Sequence, residues 1–158
     1  MKYQKILVAI DRSSQAEAVF EQALDLAKKE GAALMVFHCL PTEEVSSSYT
    51  DMFGSGLANF SAEMQAVWEQ QTKESREWLT DYGQKATAEG VPTEWDMKVG
   101  EPGSAIRQLV KAWGADLVVV GRRGRQGLGE ILLGSVSNHI IHHVRCSVLV
   151  VQGIGTEN

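Results

Sequence analysis

Residues 116–120 read Asp-Leu-Val-Val-Val, and residues 121–129 continue as Gly-Arg-Arg-Gly-Arg-Gln-Gly-Leu-Gly. Branched aliphatic residues in an unbroken run, without alternation of polar and apolar positions, are typical of a strand that is buried on both faces. We therefore predict a central strand over 116–120 and a glycine-rich loop after it. Open parallel sheets bind their ligands at this end of their strands.

Four further apolar stretches predict strands, and helix signals separate them along the chain. Strands are predicted over 6–10, 33–39, 93–99 and 147–152, the third more polar than the others, as an edge strand is. Helices are predicted from Ser14 to Gly31, from Ser61 to Gly90, from the turn at 100–103 to Trp113, and from Gly134 to Val144. This alternation predicts one α/β domain with a doubly wound, five-stranded parallel sheet and helices on both faces.

Two local features refine this outline. Ser14 and Glu17 have the spacing of a capping box, which predicts that their side chains cap the start of the first helix. The segment 41–60 is rich in Ser, Thr, Gly and acidic residues and has no clear period. It is long for a connection between two elements, so we predict a mobile loop there.

Composition and charge exclude several classes of protein. The 158 residues carry a formal net charge of −5, which argues against binding of nucleic acid or anionic membranes through a broad basic face. The apolar run near Met1 is too short for a signal peptide, and nowhere do about 18 apolar residues follow one another. Cys39 and Cys146 form no CxxC pair, which fits a reducing compartment. We expect a cytoplasmic protein.

One motif carries recognisable chemistry. Gly121, Gly124, Gly134 and Ser135 have the spacing G-x2-G-x9-G-S. Glycines let backbone amides approach phosphate oxygens closely, and a helix that begins near Gly134 directs its unpaired N–H groups and positive dipole end at an anion. The alternative reading is that Gly121 and Gly124 only shape a surface turn.

Asp11 after the first strand, the glycine motif and the closing apolar strand together resemble the universal stress protein family over nearly the whole chain, 1–158. The resemblance implies a single domain with sheet order 3-2-1-4-5, the adenine nucleotide alpha hydrolase-like fold. It also implies membership of the branch that binds ATP or a related adenine nucleotide, because the motif marks that branch. Family members commonly form homodimers through the last strand, so we expect one through 148–152.

The resemblance also assigns nucleotide-binding residues. Asp11 is expected near the ribose and adenine, the main chain of Cys39 at the adenine edge, and Val120 with Gly121 along the nucleoside. The expected phosphate donors are the amides of Gly124, Gly134, Ser135 and Val136, with the hydroxyl of Ser137 as a further one.

The positive and negative side chains near the motif suggest further contacts. Arg122, Arg123 and Arg125 are candidate phosphate contacts on electrostatic grounds alone, the alternative being a solvated loop. Asp11 has the alternative role of a helix cap. A carboxylate near phosphates needs a cation or some distance, so bridging by Mg²⁺ is left open.

The histidines and cysteines are predicted to have structural roles rather than metal-binding or redox roles. His139 and His143 have an i, i+4 spacing that can hold zinc, but no third ligand stands at a recognisable offset, and we expect no metal site. His38 and His142 are read as structural or exposed, and the cysteines as packed side chains.

Three functions follow from these observations. The first is a nucleotide-binding regulatory protein of the stress response, whose protein partner the sequence does not identify. The second is an enzyme that slowly hydrolyses ATP or phosphorylates itself. The chain lacks a glycine after its first strand and the G-x4-G-K-[ST] loop, and no nucleophile stands at a telling spacing from a base, so no catalytic residue is assigned. The third is a ligand-free dimeric interaction module.

Overall fold

The computed structural model describes residues 2–41, 62–122 and 134–152. Within them, the strands β1 (Lys5–Ala9), β2 (Ala33–Leu40), β3 (Thr93–Val99), β4 (Leu117–Gly121) and β5 (Ser147–Val151) form one parallel sheet in the order β3-β2-β1-β4-β5. The helices are α1 (Ala16–Glu30), α2 (Ala62–Ala88), α3 (Pro102–Trp113) and α4 (Ser135–His143). The predicted fold class and the sheet order implied by the resemblance are confirmed.

The sheet has a hydrophobic core on each face, which explains the unbroken apolar runs. Alternate residues of β1 enter different cores: Ile6 and Val8 pack with the side chains of α1 and α2, and Leu7 packs with those of α3 and α4. The fully buried side chains include Phe20 of α1 and Ile140 of α4. A strand in the middle of such a sheet has no polar face, so the period of two that marks half-exposed strands is missing.

The start of α1 differs from the prediction. Its N-cap residue is Gln15, and no side chain caps it, so the predicted capping box of Ser14 and Glu17 is wrong. The Glu17 carboxylate instead lies 3.0 Å from Lys85 Nζ and accepts a hydrogen bond from the Tyr82 hydroxyl at 3.1 Å. Because α2 packs beside α1 and offers a cation and a phenol, this carboxylate turns away from its own backbone.

Most other boundaries agree with the prediction to within a residue or two. β3 spans Thr93–Val99 as predicted, and α3 begins at Pro102, where both carboxylate oxygens of Glu101 accept from backbone amides of the first turn. Gly31, with φ of 67°, ends α1 in the left-handed conformation that favours glycine. The predicted loop over 41–60 lies outside the described residues, apart from Pro41.

The two edges of the sheet differ. β3 is one edge strand, and there the Asp96 carboxylate accepts a hydrogen bond from the Met97 N–H at 2.9 Å. Backbone groups alternate between the two sides of a strand, and the Gly100 N–H bonds inward to Leu40 O, so the Met97 N–H faces outward. The Asp96 side chain thus occupies a backbone donor that would otherwise be available to another strand.

Candidate functional site

The candidate site lies where the strand order reverses, between the carboxyl ends of β1 and β4. From β1 the chain continues to β2 on one side, while β4 pairs with β1 on the other. The register sets Val8 against Val119, so the last residues of β1 and β4 end at the same edge of the sheet. Asp11 therefore follows β1 beside the end of β4, where the crevice of such a sheet receives a ligand.

The end of β4 is tied to the start of α4. The Gly134 N–H donates to the Arg122 carbonyl oxygen at 2.6 Å, and the Arg122 N–H donates to Val151 O at 2.9 Å. The hydroxyl of Ser137, which is 1% exposed, lies 3.0 Å from Arg122 O and 3.2 Å from Gly134 O. We call these bonds the neck of the glycine loop, because they join residues 122 and 134 on its two sides.

The N-terminus of α4 presents backbone donors at this place. Gly134 is the N-cap residue, in an extended conformation, and as a glycine it has no side chain that could cap the helix. The first helical hydrogen bond runs from Asn138 N to Gly134 O, so the amides of Ser135, Val136 and Ser137 precede it and have no acceptor within the helix. These donors and the helix dipole form a positive end suited to an anion.

Two of the expected phosphate groups have internal partners. The Gly134 amide is bonded to Arg122 O, and the Ser137 hydroxyl proton is directed at the backbone of the neck. Among the predicted phosphate amides of the described residues, Ser135 and Val136 are the ones that face no helical acceptor. Gly124, Arg123 and Arg125 lie outside the described residues. The predicted contacts of all these groups with phosphate stay predictions.

Arg122 is half-buried at the end of β4. One of its guanidinium nitrogens, Nη1, donates to Gln152 Oε1 at 2.9 Å. A guanidinium has five N–H donors in a planar fork, a geometry that suits phosphate oxygens. The arrangement places a positive charge next to the neck of the glycine loop, and the phosphate contact itself stays a prediction.

Asp11 shapes the turn between β1 and α1. Its Oδ1 accepts a hydrogen bond from Ser13 N at 3.0 Å, and the Ser13 hydroxyl accepts from Gln15 N at 3.2 Å. The alternative role predicted for Asp11 was that of a helix cap. Asp11 is not the N-cap residue of α1, but its carboxylate does bond to the backbone just before that helix. A carboxylate has about four acceptor positions, so this bond leaves capacity for the hydroxyls of a sugar.

The thiol of Cys39 is buried near the end of β2. Its Sγ lies 3.5 Å from Gly100 O, to which the thiol donates, and burial raises the pKa of Cys39 to about 11, with the Glu101 carboxylate adding to the shift. The thiol is therefore protonated at neutral pH and is a poor nucleophile. The backbone of Cys39 lies beyond the last pair of the β1–β2 ladder, Ala9 with Phe37.

Sequence reasoning missed a cluster beside Asp11. The ring of His38 is 2% exposed and contacts the backbone of Ile10. The rings of His38 and Trp78 meet edge to face. The guanidinium of Arg12 lies over Trp78, 4.9 Å from the ring centroid. A histidine inside an apolar strand was the available signal, because a buried polar side chain nearly always has a hydrogen-bond partner.

His139 and His143, the pair considered for zinc, contact each other on α4. Their rings stack with centroids 4.1 Å apart, and the Nδ1 of His143 lies 2.8 Å from the His139 carbonyl oxygen, so that nitrogen carries a proton. In the described ranges no three His, Cys, Asp or Glu side chains cluster in a way that could hold a metal ion. In the same ranges no helix has the length and apolarity needed to cross a membrane.

Comparison with known proteins places this arrangement in a family. Residues 2–152 match the model of the universal stress protein family. The chain is 51% identical over 153 residues to universal stress protein Sll1388 of Synechocystis sp. (strain ATCC 27184 / PCC 6803 / Kazusa), which covers 96% of this chain and 99% of that protein.

Two solved structures similar to the chain hold adenine nucleotides. A universal stress protein in complex with cAMP is 25% identical, with a TM-score of 0.59, over 96% of this chain and 98% of that one. A universal stress protein from Archaeoglobus fulgidus in complex with dAMP is also 25% identical, with a TM-score of 0.58, over 95% and 98% of the two chains. The family match and the high identity over almost the full length agree with the sheet order. This chain belongs to the universal stress protein family.

Proposed function

We propose that the chain binds an adenine nucleotide, ATP or a related one, in the crevice between β1 and β4, and that occupancy of this site is its regulatory signal. The observation that carries the proposal is the N-terminus of α4 beside the end of β4, which holds three backbone amides without a helical acceptor and a positive dipole end next to Gly121. The complexes of two family members with cAMP and dAMP support the adenylate as the ligand class.

The parts of the nucleotide are assigned to different groups of the site. The phosphates lie at the amides of Ser135 and Val136, with Gly124 and the arginines 122, 123 and 125 around them. The ribose lies at Asp11, and the base reaches the backbone of Cys39 past Val120. A carboxylate near a triphosphate favours a bridging cation, so the binding experiments include arms with and without Mg²⁺.

The role is binding rather than turnover. The one thiol that lines this end of the described sheet, Cys39, has a pKa raised to about 11 and is protonated at neutral pH. The alternative, slow hydrolysis of ATP or autophosphorylation, predicts release or incorporation of labelled phosphate that is lost in Asp11→Ala. The ligand-free module predicts neither binding nor turnover.

We further propose that the chain forms a homodimer through β5. β5 is the edge strand opposite β3, and Val148, Leu149 and Val150 are only half-buried. The Ser147 N–H bonds inward to Asp116 O, so by alternation the N–H groups of Val148 and Val150 face outward. A second copy of the strand would satisfy these donors and cover the apolar side chains.

The test is to purify the protein, identify any nucleotide that elutes with it by mass, and titrate it with ATP, ADP, AMP and cAMP by calorimetry. We expect binding heat and a higher melting temperature with at least one of them, because a ligand at 100 times its Kd stabilises the fold by about 2.7 kcal/mol. Neither heat nor a thermal shift with any of the four would overturn the proposal.

Asp11 offers a matched pair of variants for this titration. Asp11→Asn keeps one oxygen that can accept from Ser13 N and so preserves the turn. It removes the second acceptor oxygen and the negative charge, which strengthens hydrogen bonds from sugar hydroxyls. Asp11→Ala removes both oxygens and the charge. If Asp11 contacts the ribose, both variants bind adenylates more weakly and only Asp11→Ala is also less stable.

A further inference from the structure

His38 occupies an unusual place in β2. Its ring lies 2% exposed within an otherwise apolar strand, and its Nδ1 lies 2.9 Å from the carbonyl oxygen of Ile10, the residue after the end of β1. A carbonyl oxygen only accepts, so Nδ1 carries the proton and donates. The side chain of one strand therefore bonds to the backbone of the next.

This bond replaces a rung of the sheet. In a parallel ladder the Ile10 N–H bonds to Phe37 O, and the next rung joins the Cys39 N–H to Ile10 O. The first of these bonds is present at 2.9 Å, but the paired residues end at Ala9 with Phe37. Ile10 O accepts from the His38 ring instead, and the strands separate one residue before the crevice.

The separation leaves a recognition edge on Cys39. In a parallel strand the N–H and C=O of one residue point to the same side, and for Cys39 that side is β1 and the crevice. One donor and one acceptor next to each other match the N1 acceptor and the N6 amino group of adenine. A hypoxanthine base, with a proton on N1 and an oxygen at C6, presents the opposite pattern.

Packing fixes the ring in this position. The His38 ring meets Trp78 of α2 edge to face, with centroids 5.0 Å apart, and Arg12 covers the same Trp78. This contact and the bond to Ile10 O act on one buried ring, and close packing of the core opposes its rotation away from Ile10 O.

We propose that His38 is a positioning residue that occupies Ile10 O and thereby keeps the Cys39 backbone open for the adenine base. This inference rests on the proposed nucleotide binding and names the group that selects the base. It assigns His38 no contact with the ligand, because the ring acts through Ile10 and Cys39.

Two substitutions separate this role from simple core packing. His38→Phe keeps the aromatic packing against Trp78 but removes the donor, so the Cys39 N–H is expected to bond to Ile10 O. His38→Asn loses the ring but places an amide N–H near the position of Nδ1, so it is expected to restore the open edge.

The first measurement needs no ligand. Hydrogen exchange of the Cys39 amide in the nucleotide-free protein should slow at least tenfold in His38→Phe and stay near the wild-type rate in His38→Asn. The amide of Phe37, which lies inside the ladder, is the internal reference and should change little in either variant.

The second measurement is the ratio of affinities for ATP and ITP by calorimetry. Wild type and His38→Asn should prefer ATP, whereas in His38→Phe the affinity for ATP should fall about tenfold and that for ITP should stay the same. A merely structural residue would weaken both nucleotides equally.

The outcomes distinguish the two proposals. Wild-type binding of ATP with an unchanged ATP to ITP ratio in His38→Phe, or an unchanged Cys39 exchange rate in that variant, overturns the role of His38 alone. Failure of the wild type to bind any of ATP, ADP, AMP and cAMP overturns the proposed function and this inference with it. The inference is supported if His38→Phe shows slow exchange of the Cys39 amide and no preference for ATP over ITP, and if His38→Asn behaves like the wild type in both measurements.

Discussion

The hydroxyl of Ser137 lies 3.0 Å from the carbonyl oxygen of Arg122, so a buried side chain of α4 is fastened to the end of β4. This bond and the Gly134 amide converge on the same carbonyl oxygen. The neck of the glycine loop is thus held by the helix whose N-terminus would receive the phosphates. We therefore expect a substitution of Ser137 to change mainly the stability of the fold, and a substitution of Ser135 on the same helix turn to change mainly ligand binding.

Ser137→Ala removes the buried donor of the neck and leaves the neck with one bond fewer. We expect the free energy of unfolding to fall by about 1 kcal/mol, the usual net value of one such hydrogen bond, in urea denaturation. Ser135→Ala is the matched control, because Ser135 is exposed on the same helix end. It should leave stability within about 0.5 kcal/mol, and it should weaken ATP binding only by the loss of the Ser135 hydroxyl as an added donor, because the backbone amide remains. Equal stability losses in both variants would contradict this account.

Gly103 sets the distance between α3 and α4. A Cβ at Gly103 would stand 2.8 Å from Cδ2 and 2.9 Å from Cγ of His139, closer than side-chain contacts allow. We expect Gly103→Ala to destabilise the protein by about 1 to 3 kcal/mol, as overpacking does. The double variant with His139→Ala should recover part of this loss, and chemical denaturation of all four proteins measures the coupling. Purely additive losses would show that the ring is not the obstacle.

Alkaline pH should destabilise the fold through buried acids. Burial raises the pKa of Cys39 from 9.0 to about 11, and burial also raises that of Tyr82 from 10.0 to about 12. Below pH 9 both groups are protonated in the folded and unfolded chains, so they add no pH dependence. Above pH 9 the unfolded thiol ionises first, and the free energy of unfolding falls through the range 9 to 11.

Cys39→Ala tests the assignment of this window. The decline should be shallower in the variant, because only Cys146 and Tyr82, whose pKa values burial also raises, then contribute to it. Urea denaturation between pH 8 and 11 gives the comparison. Parallel curves for wild type and variant would exclude Cys39 as the source.

The outward N–H of Val150 offers a test of pairing through β5. Val150→Pro removes this donor without removing a bond to β4, since proline is tolerated where the N–H faces away from the sheet. We expect sedimentation to show a dimer for wild type and a monomer for the variant at micromolar concentration. Circular dichroism should show the same fold for both. A wild-type monomer would contradict the proposed dimer, and a dimeric variant would place the interface elsewhere.

The opposite edge provides the complementary experiment. Asp96→Ala frees the Met97 N–H on the outer side of β3. We expect light scattering to show increased association beyond the dimer at high protein concentration, because an exposed edge donor can pair with another strand. Asp96→Asn keeps an acceptor oxygen and should behave like wild type.

The sequence predicted those parts of the fold that depend on local pattern. Apolar runs identified β1, β2 and β4, because a strand buried on both faces needs apolar side chains at every position. The capping box failed for a non-local reason. Glu17 finds Lys85, 68 residues away, and that contact exists only after α2 has packed beside α1.

The candidate site also has a part that the sequence predicted and a part that it did not. Motif spacing and strand order were enough to bring Asp11, Gly121 and Gly134 to one end of the sheet. The role of His38 was not accessible, because its bond to Ile10 O depends on the register between two parallel strands. A register between distant segments is set by packing of the whole sheet and leaves no short-range pattern.

The Asp96 carboxylate on the Met97 amide has a consequence for how many molecules can join. In the proposed dimer two copies pair through β5, and each copy then presents its β3 edge to the solvent. The Asp96 carboxylate occupies one outward donor of that edge, which would make it a poorer template for a third strand. An acidic side chain on the far side of the sheet would thus favour a closed pair over an extended fibre.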